Sequence, residues 1–207
     1  MAEPNVGVDW GMVQGTDLLK DPRLKTYRVY AEQMGTGDMV EWQGNSAIGW
    51  AIRKFTGADV NHTSAVIKLT YQGLGRRRFM VEALNHGLEF RLVSERLLKY
   101  SGRVYWYKLR AELVKEGRQR MGSWLMHELA LGKGYDYPNL LANALGKVSM
   151  DGRRWFCSEN YHAALIAAGY VAAPADGKAI RPGGFAPLGV HHPRVLIYDS
   201  REVARYA

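Results

Sequence analysis

A single cysteine, Cys157, stands in the 207 residues. It follows the apolar pair Trp155-Phe156 and opens a stretch to Gly169 in which Tyr161, Leu165 and Ala168 recur at helical spacing. Gly169 supplies a C-cap. Cys157 is therefore expected in the first turn of a helix. Unpaired backbone N–H groups and the positive end of the helix dipole favour a thiolate there. The thiolate is the reactive form of cysteine, so this position offers nucleophilic catalysis. The competing reading is a small buried hydrophobe at a helix start, the commonest fate of a free cysteine.

A cysteine nucleophile needs a base, and the base needs a group to orient it. Six histidines are available: His62, His86, His127, His162, His191 and His192. His127 falls in the middle of an expected helix. His162 lies five residues beyond Cys157, and at ~100° per residue it points roughly 140° away. His191-His192 precedes Pro193 in a loop, and His86 sits in a hairpin turn. His62 differs, because it opens a β-branched segment expected to be a central strand. Glu82 is the second unusual residue. It is a carboxylate inside Phe79-Met80-Val81-Glu82-Ala83-Leu84, where a charge needs a partner. A neighbouring strand carrying His62 would provide one, and the carboxylate would fix the imidazole tautomer. The alternative is a glutamate on the solvent face of a half-buried strand.

The elements that must position these residues follow in order. Gly35 to Asp38 is turn chemistry, and Met39 to Trp42 reads as a strand. Asn45-Ser46 caps a helix running to Thr56, with Ile48, Ile52 and Phe55 on one face and Gly57 closing it. Strands are expected at 62–71 and 78–84. Asn85-His86-Gly87 turns the chain into a hairpin strand at 88–92, and a further strand covers 103–109. The period then changes. Glu112 to Leu131 reads as a helix with Met121, Trp124, Leu125 and Leu129 as its apolar stripe. A loop at 132–138, a helix at 139–145, the Cys157 helix and a last strand at 194–198 complete the chain. Strands followed by helices indicate an α+β domain, with an antiparallel sheet packed against helices. Residues 1–34 carry no periodic core face and read as an arm. The domain spans 35–207 and ends in a Pro/Gly-rich extension, 172–207.

Composition bounds the function. With 47% hydrophobic residues the chain can build a core. The 28 Lys and Arg against 20 Asp and Glu give +8, which favours an anionic polymer or cell-wall substrate. The basic runs are short and scattered, and no nucleic-acid motif is present, so nucleic acid is a third reading only. One cysteine excludes an internal disulfide and a thiolate zinc site, and neither metal nor cofactor is expected. The opening residues lack the basic start and apolar stretch of a secretion signal, so synthesis in a reducing cytoplasm is expected. No apolar run approaches the length of a membrane span.

Three ordered pieces carry a resemblance. Gly37-Asp38-Met39-Val40, followed by an amphipathic helix and Asn61-His62-Thr63-Ser64-Ala65-Val66, is similar to the opening of the circularly permuted NlpC/P60 papain-like hydrolases. Val81-Glu82-Ala83 with Gly87-Leu88 resembles their next hairpin. Gly132-Lys133-Gly134-Tyr135-Asp136 and Phe156-Cys157-Ser158-Glu159 resemble their last segment. The YiiX/YaeF-like branch looks nearest, and lecithin:retinol acyltransferase-like proteins are a more distant branch. The match covers roughly 35–170, and Asn160 stands where related sequences often have an apolar residue. The resemblance implies a permuted papain-like fold with Cys157 as nucleophile, His62 as base and Glu82 as third residue. It also implies support from Asp38, Tyr135 and Ser158, with Asp38 tying down its turn and Tyr135 lining the site.

The expected activity is hydrolysis of an amide or ester through a Cys157 thioester. The basic charge and the lack of an apolar surface helix favour a peptidoglycan stem peptide over a lipid acyl group. A hydrolase of this class without a signal needs delivery, for example as a component of a phage tail or virion assembled through 1–34 and 172–207. The competing class is a structural component that keeps the fold with little or no turnover.

Overall fold

The computed structural model describes residues 20–71, 75–84, 87–132 and 157–204. Among these, β1 (Met39–Gly44), β2 (His62–Tyr71), β3 (Gly75–Leu84), β4 (Gly87–Leu92), β5 (Gly102–Tyr107) and β6 (Val195–Asp199) form one sheet in the order β4-β3-β2-β1-β5-β6. Each neighbouring pair is antiparallel. The domain is α+β, as the strand-then-helix order implies. β5 pairs with β1 and not with the preceding β4, so β1 and β2 occupy the middle of the sheet. The helices are α1 (Lys25–Ala31), α2 (Ala47–Thr56), α3 (Val93–Leu98), α4 (Gly117–Ala130), α5 (Cys157–Ala168) and a last short turn, α6 (Ser200–Val203).

Successive strand side chains point to opposite faces, and each face collects its own core. Val40, Trp42, Val66, Met80, Val104 and Trp106 pack with Leu24, Tyr27 and Ala31 and with Val93 and Leu97 of α3. Met39, Ala65, Ile67, Val81, Tyr105 and Tyr107 pack on the other side. There they meet Met121 and Leu125 of α4 and Tyr161, Ala164, Leu165 and Ala168 of α5. The sheet is thus a middle layer between two helical layers.

Several expectations need correction. The arm expected over 1–34 does not extend through residues 20–34. Leu24, Tyr27, Ala31 and Met34 are buried at helical spacing. A Tyr and an Ala, interleaved with Lys25 and Arg28, hid that stripe. Residues 1–19 lie outside the described residues, as do the expected helix 139–145, the His86 turn and the pair Trp155-Phe156. Within 172–207, the strand expected at 194–198 is present as β6, which pairs with β5. The helix expected from Glu112 begins at Gly117. A 3-10 turn, Ala111–Leu113, comes first, and Glu116 takes a left-handed φ of 58° that breaks the run.

The α2 helix has the expected ends: Ser46 Oγ accepts from Gly49 N at 3.1 Å, and Gly57 closes it. The expected apolar face does not pack inward throughout: Ile52 is half-buried and Phe55 is exposed. Arg53 donates to Gly44 O and, at 3.1 Å, to Asn61 Oδ1. A Cβ on Gly49 would meet the Asn61 side chain at 3.1 Å. Trp50 and Phe55 are instead 56% and 53% exposed.

Asp38, expected to tie down its turn, is fully buried. Its carboxylate accepts from Gly35 N (2.9 Å), Trp106 Nε1 (2.8 Å), Leu109 N (3.0 Å) and Arg118 Nη1 (2.6 Å). Arg118 also donates to Leu109 O at 2.8 Å. One side chain thereby joins the entry to β1, the exit of β5 and the start of α4. Asp38→Asn removes the charge that satisfies Arg118 and turns one acceptor into a donor. The expected loss is about 3 kcal/mol of unfolding free energy, read as a lower urea midpoint at unchanged slope. A loss below about 0.5 kcal/mol would refute this role for Asp38.

Candidate active site

The site is built at one end of the two central strands. Trp42 on β1 stands opposite His62 on β2. The β2–β3 register pairs Ala65 with Val81, so one step further Ser64 lies across from Glu82. Residues two apart on a strand share a face, which puts His62 beside Glu82. His62 Nε2 donates to Glu82 Oε2 at 2.9 Å. The other carboxylate oxygen, Oε1, accepts from Arg96 Nε at 3.0 Å. Arg96 comes from α3, and its guanidinium lies over the rings of Trp42 (5.1 Å) and Tyr100 (5.3 Å). The Trp42 indole donates to Ser64 Oγ at 2.9 Å and its ring stands 6.4 Å from the imidazole. Glu82 thus holds the ring that the sequence marks as the base, and Arg96, Trp42, Tyr100 and Ser64 hold the groups around it.

Cys157 is the first residue of α5 and is buried against Ala83, with Leu88, Trp124 and Ala163 alongside. Ala83 points to the opposite face from Glu82. The thiol thus approaches from the α5 side and meets the imidazole at the strand end, which is possible because His62 is the first residue of β2. Cys157 lies close enough to His62 to interact with it electrostatically and to favour its protonated form. With Nε2 engaged by Glu82, Nδ1 is the ring nitrogen left for the sulfur.

The electrostatics follow from this chain of contacts. Burial works against an imidazolium. The Cys157 sulfur and then the Glu82 carboxylate outweigh it and raise the pKa of His62 from 6.5 to about 9. Burial also works against the charged form of Glu82. The hydrogen bond and charge of His62, joined by Arg96, carry its pKa below the usual carboxylate range. At neutral pH the arrangement is an imidazolium held between a carboxylate and a sulfur. That is the proton inventory of a thiol nucleophile with its general acid in place.

The other site candidates lie elsewhere or lack contacts here. Asp38 belongs to the structural junction at the far end of β1 and does not approach Cys157. Ser158 is fully buried, and among the described residues its Oγ has no hydrogen-bond partner. Asn160, one turn beyond Cys157, is buried with Nδ2 similarly unpartnered. Tyr135 lies outside the described residues. His162 accepts from Ile180 N at 3.3 Å, and burial lowers its pKa. His127 is exposed.

Arg96, Trp42, Tyr100 and Ser64 were not singled out from the sequence. Trp42 and Ser64 become readable once β1 and β2 are paired, because they fall opposite and beside His62. For Arg96 the available signal was its place between Val93 and Leu97, two buried residues on one helical face.

No protein-family model matches the sequence, and no curated protein matches it. Among solved structures, the fold is similar to the crystal structure of the metalloprotein YiiX from Escherichia coli O157:H7 (DUF1105). The TM-score is 0.53 at 20% identity, over 68% of this chain and 69% of that one. The likeness relates the two folds. That neighbour is described as a metalloprotein. Among the described residues of this chain, no group of three or more His, Cys, Asp or Glu side chains is placed to hold a metal ion.

The raised His62 pKa has a measurable consequence. Its contribution to stability is complete below about pH 6.5 and is lost as the pH rises through about 9. In proton-resolved NMR titration of the imidazole, His62 is expected to titrate near 9 in the wild type. Cys157→Ala and Glu82→Gln each remove a group that raises it, so both should move the midpoint down. A midpoint near 6.5 in the wild type would refute the ion-pair arrangement.

Proposed function

We propose that the protein is a cysteine hydrolase that cleaves an amide or ester through a Cys157 thioester. The observation that carries this reading is the placement of His62 between Cys157 and Glu82 at the N-terminus of α5. It agrees with the permuted papain-like arrangement that the motif order resembles, and the YiiX-like fold is compatible with it.

The thiolate of Cys157 attacks the substrate carbonyl carbon. The electron pair moves onto the carbonyl oxygen, which lies at the helix N-terminus, where backbone N–H groups lack intrahelical partners. As the tetrahedral intermediate collapses, His62 transfers its Nδ1 proton to the leaving nitrogen or oxygen. An acyl thioester and a neutral imidazole remain. The imidazole then takes a proton from water, the hydroxide attacks the thioester, and the acid is released as the Cys157–imidazolium pair re-forms. Glu82 stays ionised throughout. It accepts from Nε2–H, fixes the tautomer and stabilises the imidazolium, while Arg96 keeps the carboxylate charged.

The favoured substrate is a peptidoglycan stem peptide, supported by the net charge of +8 for an anionic polymer. The exposed Trp50 and Phe55 support a second reading, an acyl ester at a lipid surface. They lie on a helix anchored to Asn61, the residue before His62.

Purified peptidoglycan and anionic phospholipid vesicles are incubated separately with wild type, Cys157→Ala and His62→Ala. New amines or released fatty acids are identified by mass spectrometry. The wild type should turn over one substrate, and each variant should be slower by about 10⁴-fold or more. If neither substrate yields a Cys157-dependent product and no acyl-enzyme appears by intact mass, the hydrolase reading fails.

A further inference from the structure

The α2 helix presents an outward face that the candidate site does not use. At ~100° per residue, Trp50, Lys54, Ala47, Ala51 and Phe55 fall on one arc of roughly 140°. Trp50 and Phe55 stand at the two edges of that arc, 56% and 53% exposed. Ala47 and Lys54, between them, are exposed as well, and Ala51 is half-buried. The opposite arc faces the protein. Gly49 is buried there, and Arg53 donates to Gly44 O and Asn61 Oδ1. Because the helix is anchored through this polar arc, the two rings cannot rotate inward without breaking those bonds. Large apolar side chains held outward together mark a surface that meets something.

The charges around the rings narrow what that is. Lys54 Nζ lies 4.8 Å from the centre of the Trp50 ring. The helix carries Arg53 and Lys54 and no carboxylate. Over 45–61 the one acidic residue is Asp59, and Arg194 already pairs with it at 2.7 Å. The whole chain carries +8. A partner for this face must offer apolar depth to two aromatic rings and negative charge to the lysine between them. The surface of an anionic bilayer offers both. Aromatic rings settle at the level of the headgroups, and a lysine stem lies along apolar surface while its ammonium reaches the phosphates. Among the described residues no helix is long and apolar enough to cross a membrane. The geometry of α2 is that of a helix lying on one.

We propose that the outward face of α2 docks on the surface of an anionic lipid bilayer, with Trp50 and Phe55 seated among the headgroups and Lys54 paired with lipid phosphate. No covalent bond is made or broken. The chain enters α2 from Gly44, the end of β1 at which Trp42 stands opposite His62. Docking through α2 therefore holds the candidate site beside the bilayer. Binding uses none of Cys157, His62 or Glu82, so it stands apart from the hydrolase reading. Together with that reading, it makes the lipid ester the better placed of the two proposed substrates.

The probes are vesicles of phosphatidylcholine alone and of equimolar phosphatidylcholine and phosphatidylglycerol. Co-sedimentation is measured for the full chain as wild type, Cys157→Ala, Lys54→Gln, Trp50→Phe and the double variant Trp50→Ser with Phe55→Ser, each with an unchanged melting temperature. The wild type and Cys157→Ala should bind the anionic vesicles equally, and less as salt is added. Lys54→Gln should bind roughly fivefold more weakly, the worth of one basic residue at an anionic surface. The double variant should lose at least about tenfold, because its apolar contact is gone. Brominated lipid should quench part of the tryptophan emission of the wild type. Trp50→Phe should still bind while that part of the quenching disappears, which places the lipid at α2. Absence of binding to anionic vesicles, full binding by the double variant, or quenching unchanged in Trp50→Phe overturns the proposal. So does equal binding to both vesicles, or self-association without vesicles that the double variant abolishes, since the face would then fit a second copy of the chain. Retention by Cys157→Ala keeps the result separate from the fate of the hydrolase reading.

Discussion

A carboxylate can be buried beside a sheet only where cations and donors meet it, and Glu82 is one of the carboxylates buried here. It lies within an otherwise apolar stretch of β3, and both of its oxygens are engaged, one by His62 and one by Arg96. Removing either partner would leave a buried charge short of its hydrogen bonds, which is strongly unfavourable. The same demand fixes the imidazole. It holds Nε2–H toward β3, leaves Nδ1 toward the helix, and keeps the ring protonated beside the sulfur. The Arg96 guanidinium in turn lies over the rings of Trp42 and Tyr100, which meet edge to face, a setting that suits its weakly hydrated charge. The candidate site therefore rests on a relay of four side chains drawn from β2, β3, α3 and α5.

Much of this was legible in the chain, for identifiable reasons. A charge inside an apolar strand is conspicuous, and so is a histidine at the start of a β-branched run. Cys157 was marked by its helix cap and by the stripe Tyr161, Leu165 and Ala168, all of which are fully buried. What escaped was whatever depends on which strands become neighbours. Arg96 lies on a six-residue helix too short to show a period, and its three contacts come from β1, β3 and the turn after α3. The first helix escaped for another reason. Its buried face is made of Leu24, Tyr27, Ala31 and Met34, and the intervening Lys and Arg dilute the pattern.

The α2 helix illustrates how periodicity can give the right element and the wrong orientation. Its caps and length follow from Ser46 and Gly57, and its sequence is amphipathic. Which face turns inward is decided by tertiary hydrogen bonds. Arg53 satisfies Gly44 O and Asn61 Oδ1, which ties the helix to β1 and to the residue before His62. Because Asn61 also accepts from Gly44 N at 2.7 Å, the helix, β1 and the residue preceding the base form one hydrogen-bonded unit. The apolar side chains left outside bear on the choice between a wall peptide and a lipid substrate.

The Asp38 junction has a consequence for how the chain reaches this state. Its four donors come from the turn before β1, from Trp106 and Leu109 at the end of β5, and from Arg118 in the first turn of α4. A chain that has paired β1 with β5 but has not docked α4 would enclose a negative charge with Arg118 missing. Such a half-built form is penalised in proportion to how dry it is, so it has little tendency to accumulate. The junction thereby ties sheet formation and helix docking into one cooperative event. The α4 helix is also the neighbour against which α5 packs. The thiol and the imidazole, carried by distant parts of the chain, accordingly come together only in molecules whose interior is complete, and the reactivity proposed for Cys157 would be a property of the finished fold.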